Sequence, residues 1–519
     1  MLEYTGHLVF DIGLTTVLAL RSKTEPGQIT EADLKKVADF IQEQYAQDPL
    51  RSAYTVAFTS GAWFSQPAFW TQPEKQRDYA ERVLRGYRSD IPTLDERCVF
   101  TGEPAVGIAF SDKLPAGRAF RQHIPMTLGE NVINFYPGGT TGLPVSGKAL
   151  LCIQAFPLGC AKCGGKLLAV HSDSSDIMRT FTARFLDENR KLINLAHEEK
   201  SAKLREASFS AKTLLITTLI DIEQERQDER AEHRPYSVTA YHLNNGGQSN
   251  ALDARNPPLE IYHLPLEITG FLGRIVSAEY KSEWQAVGRR AWRMAQAEKK
   301  ASAEDKPKKR RAKPETPAKE DTRPRRNFLY EDLFDLPGNA RVFIRRYFLR
   351  IPIRNTFEDD PRRSYSLKDD ANLVKWKLTQ LFLERVMRMN ASRIERIREL
   401  GDQLAAYVHA ENDQKFFTTF YAEQRRYDVI RNALIKVNHA RLKRGQPPII
   451  KLDPYLEVFE DVDENGRSDW RLARDLVLIR MIERLYDLKW IEQHPDALPD
   501  VSDENATESG NSHSIGENS

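Results

Sequence analysis

The sequence is short of the residues and patterns on which several common functions depend. Its 519 residues hold four cysteines, Cys98, Cys152, Cys160 and Cys163. That is too few for a disulfide framework in a chain of this length, so a reducing cytoplasm is the expected compartment. No uninterrupted apolar run reaches the roughly 18 residues of a membrane-spanning helix. The opening stretch MLEYTGHLVFDIGLTTVLALRS has no basic leader and carries Asp11 inside its apolar run, so neither a signal peptide nor a membrane helix is expected. GxSxG, HExxH and His-Asp metal motifs are missing, and the glycine-rich Tyr136-Pro-Gly-Gly-Thr-Thr-Gly142 lacks the Gly-Lys-Ser/Thr of a P-loop. Nothing in the chain calls for an active site.

Two stretches lack large apolar residues or cations. Glu298–Arg326 mixes lysine, arginine, proline and acid without one large apolar side chain. It cannot bury enough surface to offset its ordering entropy and reads as a disordered basic linker. Its most basic part, Lys308, Lys309, Arg310 and Arg311, is either a solvated tether or a phosphate-binding arm. From Asp496 onward there are several acids and no lysine or arginine, which reads as a disordered acidic tail. The formal net charge of +2 therefore hides a basic folded part suited to a polyanionic partner.

What is present points to an α+β chain. Residues 1–297 read as a mixed N-terminal domain with short strands, loops and helices; 298–326 are the linker; 327–495 are an all-α helical bundle; 496–519 are the tail. Leu8–Leu20, apolar and β-branched around Gly13, suggests a strand or strand–turn unit. Thr30 and Asp33 form a capping box ahead of Leu34, Val37, Ala38, Ile41 and Tyr45 at helical spacing, which predicts a helix over 31–46. Tyr54–Phe58, Lys166–His171, Val238–Leu243 and Glu260–Leu264 read as strands. Pro73–Tyr87, Ser175–Glu199 and Phe271–Lys300 read as helices. In the bundle, continuous helices are predicted over Tyr330–Phe348, Ala371–Leu400, Gln414–Lys443 and Arg471–Ile491.

Cys160-Ala-Lys-Cys163 has the spacing of a zinc knuckle, and Cys98 and Cys152 could complete a tetrahedral set, with His123 and His171 as other donors. Against this, Thr101 stands where a second knuckle's thiol belongs, and Cys152 lies in the apolar run LLCIQAF, where cysteine is commonly a small core residue. Core cysteines and no cofactor are the expectation; zinc at Cys98, Cys160 and Cys163 is the minor alternative. Asp461, Asp463, Asn465 and Gly466 imitate half a calcium loop, but Leu472 occupies the position of the bidentate glutamate, so a turn is expected instead.

Several short motifs fall into one pattern: Tyr4-Thr-Gly-His7 with Asp11-Ile-Gly13, Leu34–Tyr45, Phe58-Thr-Ser60, Cys98-Val-Phe-Thr-Gly102, Phe156-Pro-Leu-Gly159 and Gly165-Lys-Leu-Leu-Ala-Val-His-Ser172. This set resembles the large subunit of a type I-B CRISPR Cascade, the Cas-eight family of the Cst-one kind. By motif it covers about residues 1–200, and beyond them by architecture alone. Family members with a full pair of zinc knuckles differ here at Thr101. The resemblance implies a non-catalytic, cytoplasmic subunit that works with guide RNA, target DNA, the backbone, guide-end and small subunits, and a recruited helicase–nuclease. The N-terminal domain would recognise the protospacer-adjacent motif, while guide pairing reads the target. Motif reading is then expected from Trp63, Ser65, Gln66, Asn131, Asn134, Gly138, Gly139 and Thr140. Phosphate contacts are expected from Arg393, Arg396, Arg425, Arg426, Arg431, Lys436, Arg441, Lys443 and Arg444. From Met387 or Met389 onward the chain has the size of a small subunit, which suggests internal initiation. The alternative from another class is a metal-dependent nuclease whose active site has no recognisable motif.

Overall fold

The computed structural model describes residues 2–133, 139–228, 234–245, 256–292, 324–348, 376–423, 426–460, 469–494 and 497. The chain forms two compact units, one running to Gly338 and the other from Asn339. The first is α+β and the second helical.

In the first unit the organising element is α1 (Leu8–Leu20), a helix where the sequence suggests a strand. Val9 to Leu18 are all buried, so the run has no polar face and its period cannot be read from sequence. The helix tolerates Thr15 and Thr16 because each hydroxyl donates back to a carbonyl one turn earlier, Asp11 O and Ile12 O, both at 2.7 Å. After it come α2 (Glu31–Tyr45), α3 (Leu50–Ala53) and α4 (Thr55–Phe58). The capping box of α2 is present as expected: Asp33 N–H donates to Thr30 Oγ1 and Thr30 N–H to Asp33 Oδ2. Tyr54–Phe58, expected as a strand, is instead a helical turn that buries Ala57 and Phe58. Next are α5 (Pro73–Leu84), strands β1 (Thr93–Arg97), β2 (Pro104–Val106), β3 (Arg118–Ala119) and β4 (Leu143–Pro144), and then α6 (Gly147–Ala155).

β5 (Ala161–Cys163), β6 (Lys166–Ser172), β7 (Val238–Leu243) and β8 (Leu259–Leu264) form one antiparallel sheet in that order. Ser172 lies opposite Val238, and Val238 opposite Leu264. Two long helices, α7 (Ser175–Glu198) and α8 (Ala211–Asp228), lie between β6 and β7 in sequence. α1 packs against α6, α7, the 3-10 turn Phe156–Gly159 and β6.

Phe271–Lys300, read as one helix, is two: α9 (Leu266–Ile275) and α10 (Lys281–Arg290), followed by α11 (Phe328–Asp332). Residues 327–338 pack in the first unit although the sequence assigns them to the bundle. Asn327 is fully buried there, its Nδ2 donating to Gly288 O at 2.8 Å and its Oδ1 capping Tyr330 N–H. Of the expected linker, 298–323 and with them Lys308, Lys309, Arg310 and Arg311 lie outside the described residues. Arg325 is anchored, its guanidinium over the rings of Phe209 and Trp292 at 5.5 and 5.1 Å.

The second unit contains α12 (Ala340–Tyr347), α13 (Trp376–Arg385), α14 (Ala391–Glu411), α15 (Gln414–Ala422), α16 (Tyr427–Leu442), α17 (Leu452–Tyr455), α18 (Trp470–Asp487) and α19 (Trp490–Gln493). α14 and α18 form its main pairing. They approach closely at Gly401, where a Cβ would stand 2.8 Å from Arg480 Cβ. The long helices expected here are each interrupted. Ala371–Leu400 breaks at Arg388, which takes positive φ, and Asn390 caps the helix that restarts. Gln414–Lys443 divides into α15 and α16, and Arg471–Ile491 breaks at Lys489, also at positive φ. Asn412, at positive φ too, ends α14 just before α15, which Asp413 caps and which starts at Gln414 as expected. Asp461, Asp463, Asn465 and Gly466 lie outside the described residues, and most of the acidic tail does too.

Candidate nucleic-acid interface

The motif residues of the first unit converge on α1. Asp11 is 1% exposed and accepts from Thr5 N–H and Gly6 N–H, both at 2.8 Å, while His171 Nε2 on β6 lies 3.1 Å away. The Tyr4–His7 loop therefore wraps a buried carboxylate that β6 supports from the other side. Phe100 meets the His7 ring edge-on at 4.7 Å and stacks on Phe10 at 6.3 Å. Gly13 and Gly159 bring neighbouring elements into contact: a Cβ at Gly13 would sit 2.0 Å from Cys152 O, and one at Gly159 2.2 Å from Thr16 Oγ1. Most of these residues build the core of the unit, while Thr5, Gly6 and His7 stay exposed at its surface.

Trp63 belongs to that core. It is 1% exposed, stacks on Tyr45, and donates through Nε1 to Gln154 Oε1 at 3.2 Å. Gln154 Nε2 in turn donates to His123 O. Burial pushes the His123 pKa down to about 3, so the ring is neutral. Phe120 N–H donates to Nδ1, which leaves Nε2 to carry the proton and donate to Tyr79 Oη at 2.6 Å, with Tyr79 O–H donating to Phe110 O. Ser65 is buried as well and donates to Thr59 O. Trp63 and Ser65 thus face inward, where no base edge reaches them. An aromatic-rich loop does not reveal in sequence which ring is core.

Gln66 is half-buried and Asn131 exposed. Gly139 is exposed with φ +58°, the left-handed conformation glycine favours. Thr140 Oγ1 accepts from Arg118 Nη1 at 2.7 Å, and the same nitrogen donates to Thr141 O at 3.0 Å. A backbone bridge joins Ile133 to Thr141. Asn134 and Gly138 lie outside the described residues. Gln122, an amide of the kind that reads base edges, lies against Gly61, where a Cβ would stand 2.6 Å from its Nε2.

All four cysteines are buried and free. Among the described residues no three His, Cys, Asp or Glu side chains gather in an arrangement that could hold a metal ion. Cys160 Sγ lies 3.2 Å from Phe156 O. Cys163 Sγ lies 3.6 Å from His242 Nε2, and His242 Nδ1 3.1 Å from Glu260 Oε2, which also pairs with Lys166 Nζ at 2.9 Å. That order of groups is the one a nucleophilic triad uses. Here, however, Nε2 is only 2.9 Å from the carbonyl of Cys163 itself, and burial pushes the Cys163 thiol up to about 12. A thiol so disfavoured as thiolate is not an activated nucleophile, and the cluster ties β5, β7 and β8 together.

In the second unit the expected phosphate ligands divide into three groups. Arg393 is 7% exposed, donating to Val458 O at 3.0 Å and pairing with Asp469 at 2.5 Å; it holds α14 to the segment before α18. Arg396 pairs with Glu399 and Glu457, Arg426 with Asp428, Arg444 with Glu411, and Arg441 donates to Pro447 O. Arg425 lies outside the described residues. Arg431, Lys436 and Lys443 are exposed and have no carboxylate partner among the described residues. With Ile430, Ala433, Leu434 and Val437 buried on the inner side of α16, these cations project outward along about 18 Å of helix. Ile435 and Leu442 stand among them, 58% and 59% exposed. The only carboxylate of α16 is Asp428, in its first turn.

Comparison with family models, curated proteins and solved structures returned no match to this chain. No helix among the described residues is long and apolar enough to cross a membrane.

Proposed function

We propose that this chain is the non-catalytic large subunit of an RNA-guided surveillance complex of the type I-B kind, holding opened target DNA through its helical unit. The observation that carries the reading is the row of Arg431, Lys436 and Lys443 on the outer face of α16, with no carboxylate partner among the described residues. Cations without partners attract a polyanion at no cost in broken ion pairs, and their attraction does not depend on sequence. Reading of the adjacent motif falls in this proposal to the outward residues of the first unit: Gln66, Asn131, Gly139 and Thr140. Guide RNA, the backbone, guide-end and small subunits and a helicase–nuclease are the proposed partners. Helix α14 begins directly after Asn390 caps it, so a product initiated at Met387 or Met389 would open on an intact helix start. Replacing both methionines by leucine should remove the short product.

The test is target binding by the reconstituted guide-RNA complex with and without this chain, using duplexes of randomised flank at two salt concentrations. The chain should confer a flank preference and tighter binding. Changing Arg431, Lys436 and Lys443 together to glutamine should flatten the slope of log affinity against log salt by about two to three. Binding that is indifferent to the chain, or a slope unmoved by the triple change, would refute the reading.

A further inference from the structure

Among the described residues, one cationic cluster of the second unit has few acceptors for its donors. Arg345 on α12 and Arg471, Arg474 and Asp475 on α18 meet there. Arg474 is 4% exposed, yet its closest counter-charge is Asp475 Oδ1 at 3.2 Å from Nη2, and its Nε has no hydrogen-bond partner. Asp475 is shared: Oδ2 lies 3.4 Å from Arg345 Nη2, and the buried Nε of Arg345 is also without a partner. Arg471 acts on the same carboxylate from the exposed rim, with its guanidinium 5.6 Å from the Trp470 ring. Glu423 acts on Arg474 more weakly than Asp475 does. Among the described residues, Arg345 and Arg474 thus share one close carboxylate, and Arg471 acts on it from farther out.

A buried cationic donor without an acceptor is costly, because its water was removed and nothing replaced it. Burial lowers the Arg474 pKa and raises that of Asp475, the directions expected of buried ions with incomplete compensation. An oxyanion with several acceptor oxygens beside Asp475 would give these guanidiniums further acceptors and neutralise the excess charge. Guanidinium forks match phosphate in a bidentate manner.

We propose that Arg345, Arg471 and Arg474 form a phosphate-binding pocket in the helical unit, filled by a backbone phosphate of single-stranded nucleic acid. The phosphate chemistry stands on the arginines alone; the choice of nucleic acid as its source rests on the function proposed above.

The test uses the full chain, with Arg345→Gln and Arg471→Gln as variants at partly exposed positions, and Arg474→Lys, which keeps the charge but loses the fork. Far-UV circular dichroism checks that each folds. Thermal melting in inorganic phosphate against chloride at equal ionic strength reads the pocket, and anisotropy of a labelled oligothymidylate reads the nucleic acid. Phosphate should raise the melting temperature of the wild type and not of Arg345→Gln or Arg471→Gln. Each of the three variants should weaken oligothymidylate binding about tenfold. No phosphate effect on the wild type, or an equal effect on the variants, overturns the pocket. A phosphate effect confined to the wild type, with no oligothymidylate binding by any form, supports the pocket and sinks the nucleic-acid reading. Oligothymidylate binding lost on changing the α16 cations but untouched by the three arginine variants overturns the pocket's nucleic-acid ligand and leaves the proposed function standing.

Discussion

Gly13→Ala probes the crossing of α1 and α6 on which the first unit is built. The added Cβ would lie 2.0 Å from Cys152 O and 2.6 Å from Cys152 C, whereas real Cβ atoms essentially never come within 3.0 Å. The obstruction is backbone, so no rotamer change relieves it, and the helices must part by about 1 Å in a core that has little free volume. Replacing a mid-helix glycine by alanine gains about 1 kcal/mol of propensity. Overpacking costs up to about 3 kcal/mol, and a backbone obstruction belongs at that upper end. A net loss of about 2 kcal/mol follows, equivalent to a fall of about 4 °C in melting temperature for a unit of this size. Gly270→Ala is the internal control. It sits in the exposed middle of α9 with nothing within 4 Å of a new Cβ, so it should raise the melting temperature through propensity alone. Differential scanning fluorimetry of the full chain reads both. A Gly13→Ala protein that melts with or above the wild type would refute the close crossing.

Other outcomes follow from single contacts. Hydrogen bonds from the Thr30 side chain and backbone, with Arg21, hold the Asp33 carboxyl down at about 2 against an ordinary 3.8. Its folded value is depressed, so its contribution is complete above pH 4 and lost as pH falls towards 2. The stability gap between wild type and Asp33→Asn should close over that range in urea titrations. Arg393→Ala leaves Asp469 buried without its partner and should cost about 3–5 kcal/mol, whereas Arg396→Ala, on an exposed pair, should leave the melt unchanged. Trp63→Phe removes the bond to Gln154 and should destabilise by about 1–3 kcal/mol, with no change in flank preference once folded. With every thiol buried, Ellman's reagent should react with the native protein only slowly and count four thiols after denaturation.

Local chemistry was legible in the sequence wherever neighbours along the chain supply the physics. The Thr30–Asp33 box, the buried β6 run and the extent of α7 depend on residues a few positions apart. α1 was misread because a helix buried on every side carries no polar stripe, and β-branched apolar residues then imitate a strand. Its conformation is decided by packing against α6, α7 and β6. The breaks at Arg388 and Lys489 went unseen for a related reason. A non-glycine residue at positive φ announces nothing locally, and the apolar stripe continues across the break.

The candidate interface shows the same division. Arg393 and Arg431 are both helical arginines of the bundle, and sequence offered no ground to separate them. One is buried against Asp469 and the Val458 carbonyl, the other faces outward with no carboxylate partner among the described residues. Arg345 and Arg474 were not singled out, because 129 positions separate residues whose shared carboxylate is visible only in three dimensions. Composition and short-range pattern settled the α+β class and the basic, helical character of the second unit, since those depend on residue type and periodicity. Which cation is compensated and which is left for a ligand depends on distances between remote residues, and those came into being only when the helices packed.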